Sequence, residues 1–299
     1  MEAYAVARSV SRYINDRVLQ APGSSARVLA VFRNACDLIV ADGDVFAVVA
    51  SSIGDGPLNL VVDCGEMPFR SLEPGLPVLW DRQHLRLGHL EITLSDVSVW
   101  ESRPDWAVLR ARCPQATCHL SILRRLCQER TPHPSLLELV AGTSSAASDH
   151  QQDAPFLRAI SALRAGWNSD PRSLQKGVAE LAGLGCGLTP SGDDFLVGLM
   201  LWVWLDHPHP RRLCRLLAEI AGVRTTTLSA AFLRAAARGH CSPGWHALLA
   251  ALMDGDVVGL EAAVTKVLSR GASSGADALA GFLWAGSQSP SLEHPVEEA

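Results

Sequence analysis

The chain has no Cys-x-x-Cys pair, no run of lysine or arginine, and no apolar stretch long enough to cross a bilayer. Its eight cysteines (Cys36, Cys64, Cys113, Cys118, Cys127, Cys186, Cys214 and Cys241) are scattered, so reduced thiols are expected rather than a disulfide framework. Cys113 with Cys118-His119 approaches zinc-ligand spacing but lacks a second pair, and His207-Pro-His209 reads as an interhelix loop. Net charge is −5, so a nucleic-acid or anionic-membrane surface is not expected. Arg124-Arg125 and Arg211-Arg212 read as solvated helix faces. Residues 1–17 lack the continuous apolar core of a signal peptide, which leads us to expect a cytoplasmic protein. An obvious nucleophile is also lacking: Cys186 has no histidine or lysine near it in sequence to lower its pKa.

What is there centres on Gly183-Leu-Gly-Cys-Gly-Leu-Thr-Pro-Ser-Gly-Asp-Asp194, which runs directly into an apolar segment over 195–205. That segment is apolar on every side and predicts a buried central helix. Gly183, Gly185 and Gly187 allow positive φ and close backbone approach. Helix-start signals follow, with Thr189 or Ser191 as N-cap, Pro190 suited to the first helical position if Thr189 caps, and capping-box spacing from Ser191 to Asp194. A glycine-rich turn entering a helix offers N–H groups to phosphate or carboxylate. Asp193 and Asp194 would repel a bare anion. A functional reading therefore needs a divalent cation or a substrate N–H for a carboxylate to accept, whereas the plain alternative is that both aspartates cap.

The pattern recurs: Ser274-Gly-Ala-Asp277-Ala-Leu279-Ala-Gly281 repeats Ser191-Gly-Asp-Asp194-Phe-Leu196-Val-Gly198, coinciding at Ser, Gly, Asp, Leu and Gly. In each copy a glycine lies four residues after the aspartate, on the same helical face, leaving room for a close neighbour. Two such starts are expected to face one cleft. The alternative is two unrelated capped helices.

Between about 26 and 112 the chain reads as short strands, at 28–32, 38–41, 45–50, 58–62, 78–80, 85–87, 90–94 and 97–100, with Asp42-Gly43 as a hairpin signal. A helix is expected over 1–19. The loop 51–57 is rich in turn residues and able to cover a ligand. After Pro114 the period becomes helical, with helices at 116–130, 135–140, 154–166, 171–182, 191–205, 210–221, 225–238, 243–253, 257–269 and 274–286. An exposed linker is expected over 142–153, and a frayed tail from 287. The fold class is α+β, a β-rich barrel or sandwich over 1–113 followed by an all-α domain over 114–299. One further cluster, Arg224-Thr-Thr-Thr-Leu-Ser229, opens a helix with four hydroxyls. It reads either as a cap or as a hydroxyl-lined wall in which Arg224 meets a carboxylate or phosphate.

The stretch Gly187-Leu-Thr-Pro-Ser-Gly-Asp-Asp194, the cluster from Thr225 to Ser229, and Ser274-Gly-x-Asp277 together resemble the AllH family. The resemblance spans most of the chain. It implies a subunit of oxamate carbamoyltransferase in anaerobic allantoin breakdown, a part of purine catabolism, working with an FdrA-like subunit and a third protein. The implied reaction is oxalurate plus phosphate giving oxamate plus carbamoyl phosphate. Ahead of the second Ser-Gly the family would have a histidine and a threonine where this chain has Ala272 and Ser273. Asp193 and Asp194 are the candidate catalytic residues. Gly185, Gly187, Thr189, Ser191, Gly192, Arg224, Thr225, Thr226, Ser274, Gly275 and Asp277 are candidates for binding an anion or carbamoyl phosphate. No cofactor is assigned. The competing readings are a Mg²⁺-dependent phosphate-transferring enzyme and a non-catalytic interaction subunit.

Overall fold

The structure, a computed structural model, describes residues 3–20, 25–64, 69–131, 136–141, 150–167 and 170–288. The chain divides into two compact units, residues 1–103 with 240–243, and residues 104–239 with 244–299. The class is α+β.

The first unit is a barrel. Its strands are β1 (Ala3–Ser11), β2 (Ser25–Val31), β3 (Ala35–Val40), β4 (Val45–Ala50), β5 (Asn59–Asp63), β6 (Pro77–Trp80), β7 (His84–Leu87), β8 (Leu90–Thr93) and β9 (Ser98–Trp100). They lie in the order β5-β4-β3-β2-β6-β7-β8-β1-β9, and an additional β1–β5 pairing closes eight of them into a ring. β9 runs parallel to the end of β1. Closure leaves the ring no open edge to guard. Alternation fills the interior, as where Leu85 and Leu87 point inward and are fully buried while Arg86 between them pairs with Glu91 outside. At Asp42-Gly43 the expected hairpin forms, with Gly43 at φ +86° and the Val40 N–H donating to the Asp44 carbonyl at 2.8 Å.

Residues 1–19 are not the expected helix. They form strand β1, then one helical turn α1 (Arg12–Ile14) and a π-helical turn over Asn15–Leu19. Ala5 and Ala7 face inward while Tyr4 and Val6 are exposed, a period of two. A bulge between Ala7 and Ser9 then shifts the phase so that Val10 is buried. Partners on β5, β8 and β9 take up the backbone groups of β1, so long-range pairing overrides local helix preference. The loop over 51–57 is pinned to β1 and β5: Ser9 donates to Asp55 at 2.6 Å, Ser11 to the Pro57 carbonyl at 2.7 Å, and Asn59 to the Gly54 carbonyl at 2.8 Å.

The second unit holds α2 (Trp106–Ala111), α3 (Cys113–Arg130), α4 (Leu136–Ala141), α5 (His150–Gly166), α6 (Pro171–Leu181), α7 (Ser191–Asp206), α8 (Pro210–Gly222), α9 (Thr227–Ala237), α10 (Pro243–Asp254), α11 (Val257–Leu268) and α12 (Ser274–Ser287). Helix begins at Trp106, ahead of Pro114, because Asp105 caps it by accepting from the Ala107 and Val108 N–H groups. The linker expected over 142–153 falls partly outside the described residues, at 142–149, and its last part is already α5. Of the expected frayed tail, 289–299 lie outside the described residues.

α7 is the buried central helix: Phe195, Leu196, Leu199, Met200, Leu201 and Trp202 are at most 1% exposed. Its main neighbour is α12, and the two backbones touch. A Cβ on Gly198 would lie 1.7 Å from the Ala278 carbonyl oxygen, and one on Gly281 would lie 1.9 Å from that of Phe195. Only glycine permits this approach. Below the contact the Trp202 and Phe282 rings meet edge to face at 5.1 Å.

Candidate functional site

The glycines that follow the two aspartates bring the starts of α7 and α12 together. The Thr189 and Ser274 hydroxyls lie 3.0 Å apart. Neither Thr189 nor Ser191 caps α7, contrary to both registers read from the sequence. Pro190 occupies the N-cap position with φ −54° and ψ 143°, and its carbonyl accepts from the Asp193 and Asp194 N–H groups. Proline has no side-chain acceptor, so Ser191 becomes the first helical residue and its hydroxyl is free to reach across. α12 likewise has no side-chain cap.

What results is a reciprocal exchange. The Ser274 and Thr189 hydroxyls hydrogen-bond to Asp194 on α7, and those of Ser191 and Ser273 to Asp277 on α12. The first residue of each helix serves the carboxylate of the other. The Leu136 N–H at the start of α4 also serves Asp277. One oxygen of each carboxylate, Asp194 Oδ2 and Asp277 Oδ2, is nevertheless buried without a hydrogen-bond partner among the described residues. Asp277 is 2% exposed.

Burial outweighs the hydroxyls. Desolvation, with the Asp277 and Asp193 charges adding to it, pushes Asp194 up to about 7 against the pull of Ser274 and Thr189. Asp277 is also raised, desolvation being the first cause. Near neutral pH Asp194 is therefore poised between acid and carboxylate.

Asp193 does a different job. It is 0% exposed, and both oxygens are engaged: Oδ1 accepts from the Gly183 N–H at 3.0 Å, and Oδ2 from the Ser229 hydroxyl at 2.8 Å and from the Thr225 hydroxyl. Thr225 lies just before the Thr226 N-cap and Ser229 in the first turn of α9, so both hydroxyls reach Asp193 from the start of that helix. This stitch ties the glycine loop to the start of α9. Asp193 neither caps its own helix nor faces Asp277, so the two candidate catalytic aspartates separate by environment.

The remaining candidates divide in the same way. Gly192 and Gly275 are buried contact points, where a Cβ would meet the Leu181 and Val267 carbonyl oxygens at 2.1 Å each. Gly185 and Gly187, at φ +116° and +96°, carry an exposed loop over 185–188. Thr226 caps α9, accepting from the Ser229 N–H at 3.0 Å, and donates to the Leu188 carbonyl. Arg224 is not brought to the carboxylates; it is exposed and donates to the Ile220 carbonyl at 2.9 Å, closing the end of α8. Of the hydroxyl cluster read over 224–229, Thr225 and Ser229 reach Asp193, whereas Ser273 was not foreseen as a site residue. Cys113 and His119 are engaged by Asp206 and the Leu252 carbonyl respectively. Among the described residues no group of three or more His, Cys, Asp or Glu side chains is placed to hold a metal ion.

Residues 181–286, which contain the whole reciprocal pair, match the family model described as oxamate carbamoyltransferase subunit AllH, and residues 3–99 match the AllH family N-terminal domain. The chain belongs to the AllH family. No solved structure matches it. As an AllH chain it has the role of a carbamoyltransferase subunit, and a subunit has partners. Among the described residues no helix is long and apolar enough to cross a membrane.

Proposed function

We propose that this AllH chain carries the carbamoyl-handling site of an enzyme that converts oxalurate and phosphate into oxamate and carbamoyl phosphate, working with an FdrA-like subunit and a third subunit in the cytoplasm as part of allantoin breakdown. The observation that carries this reading is the pair of buried, unpartnered carboxylate oxygens on Asp194 and Asp277 at two converging helix starts. A carbamoyl NH₂ supplies the donor that the orphaned Asp277 oxygen lacks, and the Asp194 carboxyl beside it is placed to exchange a proton with the same group. The N–H groups of the exposed loop over 185–188 lie just ahead of the α7 N-terminus, the end of a helix that attracts phosphate. Anion and carbamoyl sites side by side supply the proximity that transfer between them needs. Ser191, Ser274 and Thr189 fix the carboxylates, and Asp193 with Thr225 and Ser229 fixes the loop.

Calorimetric titration of the chain with phosphate, carbamoyl phosphate and oxalurate tests this reading. Carbamoyl phosphate is expected to exclude both of the others, and to do so equally in EDTA and in Mg²⁺. Independent binding of phosphate and carbamoyl phosphate would refute a shared site. A strict Mg²⁺ requirement would favour phosphoryl transfer instead.

A further inference from the structure

Carbamoyl transfer from oxalurate has one step that positioning alone does not provide. The phosphate oxygen forms a bond to the carbamoyl carbon, and the bond from that carbon to the oxamate nitrogen breaks. A nitrogen leaving as an amide anion is a poor leaving group and needs a proton as it departs. Hydrogen phosphate brings one proton, and the carbamoyl phosphate dianion carries none on its phosphate, so that proton must leave as the new carbon–oxygen bond of the mixed anhydride forms. An acid that gives its proton to the nitrogen and regains one from the phosphate hydroxyl balances the reaction and ends unchanged.

We propose that Asp194 is this proton donor, and that Asp277, across the α7–α12 contact, is the positioning residue that keeps the proton on Asp194. The proposal rests on the oxalurate reading above. Its geometric ground is the reciprocal pair: two carboxylates at one helix crossing, each held by hydroxyls from the other helix start, each with one buried oxygen lacking a partner. Two ionised carboxylates so placed would leave both orphaned oxygens charged and unpaired in a desolvated site, and one proton held there removes one of the charges. Asp194 is the better donor because it is the less buried of the two, whereas Asp277 is 2% exposed and enclosed by Ser191, Ser273 and the Leu136 N–H. Asp277 receives three hydrogen bonds that favour its charge and Asp194 two, which leaves the proton on Asp194. The charged groups bearing on Asp194 are Asp277 from α12 and Asp193 from its own helix, both negative, while its hydrogen-bonding neighbours Thr189 and Ser274 are neutral. The upward shift of Asp194 agrees with this division.

The test has two arms. In the first, infrared spectra of the chain are recorded against pH: a protonated carboxyl band should titrate near neutrality, vanish in Asp194→Asn, and titrate about one pH unit lower in Asp277→Asn, where the neighbouring charge is gone. Ser191→Ala, which removes a hydrogen bond from Asp277 and spares the helix contact, should move it the same way. In the second arm, the complex reconstituted with its partner subunits is assayed for carbamoyl phosphate from oxalurate and phosphate. Its kcat should hold below neutral pH and fall above it, with this alkaline limb displaced downward in Asp277→Asn and Ser191→Ala, and Asp194→Asn should lose a hundredfold or more in kcat with little change in KM. A wild-type complex that makes no carbamoyl phosphate overturns the oxalurate reading and the donor role with it. A working complex in which Asp194→Asn keeps its turnover, or in which neither Asp277→Asn nor Ser191→Ala moves the limb, overturns the donor role alone.

Discussion

Replacing Asp194 by Asn should stabilise the protein, and by an amount that grows with pH. The native fold holds the Asp194 proton up to about pH 7, whereas the same group in an unfolded chain releases it near 3.8. This climb is roughly three factors of ten in proton affinity at ~1.4 kcal/mol each, on the order of 4 kcal/mol. Because the folded value is the raised one, the native state binds the extra proton between about pH 4 and 7, and stability falls as pH rises through that window. Below it both states are protonated, and above it both are ionised. Asn has the shape of the carboxyl and no proton to lose. The variant should therefore sit close to wild type at pH 4.5 and ahead of it by roughly 2–4 kcal/mol at pH 8, after a discount for the partial exposure of Asp194. For a domain of this size that is about 5–15 °C in Tm. Scanning calorimetry of both proteins from pH 4.5 to 8.5 measures the difference. Curves that run parallel across this range would refute the claim that burial, rather than the Ser274 and Thr189 hydroxyls, dominates at Asp194.

Asp193→Asn should have the opposite sign. It places an NH₂ among the Gly183 N–H and the Thr225 and Ser229 hydroxyls, leaving buried donors facing a donor, so a loss of about 2–4 kcal/mol is expected in chemical denaturation. Gly281→Ala cannot be accommodated by a side-chain shift, since its Cβ would meet the Phe195 backbone at 1.9 Å; a loss of at least ~3 kcal/mol, or no folded protein, is expected, where Gly187→Ala, with nothing within 4 Å of its Cβ, should carry only the strain of its positive φ, about 1–2 kcal/mol. Near-normal stability of Gly281→Ala would mean that α7 and α12 do not touch through their backbones.

Most of this architecture was legible in the chain because its signals are local. Strand alternation, the Asp42-Gly43 turn and the helix limits around Gly, Pro, Asp and Ser each need only a few neighbouring residues, and helices α6 to α12 begin or end within a residue or two of the limits read from them. β1 was not legible in this way. Ala3 to Ser11 has short apolar residues compatible with a helix, and its period of two is broken by the bulge after Ala7; three distant strands decide its conformation. At the site, the duplicated Ser-Gly-x-Asp with its later glycine announced that two helix starts belong together. The direction of the hydrogen bonds was hidden, because it depends on Pro190 taking the N-cap position and releasing Ser191 towards Asp277. Adjacent in sequence, Asp193 and Asp194 are about 100° apart around the helix, and only the placement of α9 and α12 shows which of them is fully engaged.

The central claim is that the α7–α12 helix starts are where carbamoyl transfer takes place. Its most direct test is the single-turnover yield of carbamoyl phosphate from oxalurate and phosphate at pH 7, in complexes reconstituted with wild-type chain and with Asp194→Asn, both shown to be folded by calorimetry and assembled with the partner subunits. The account predicts at least a hundredfold slower formation in the variant, at equal or greater thermal stability. Equal rates in the two complexes would contradict it and place the chemistry on another subunit.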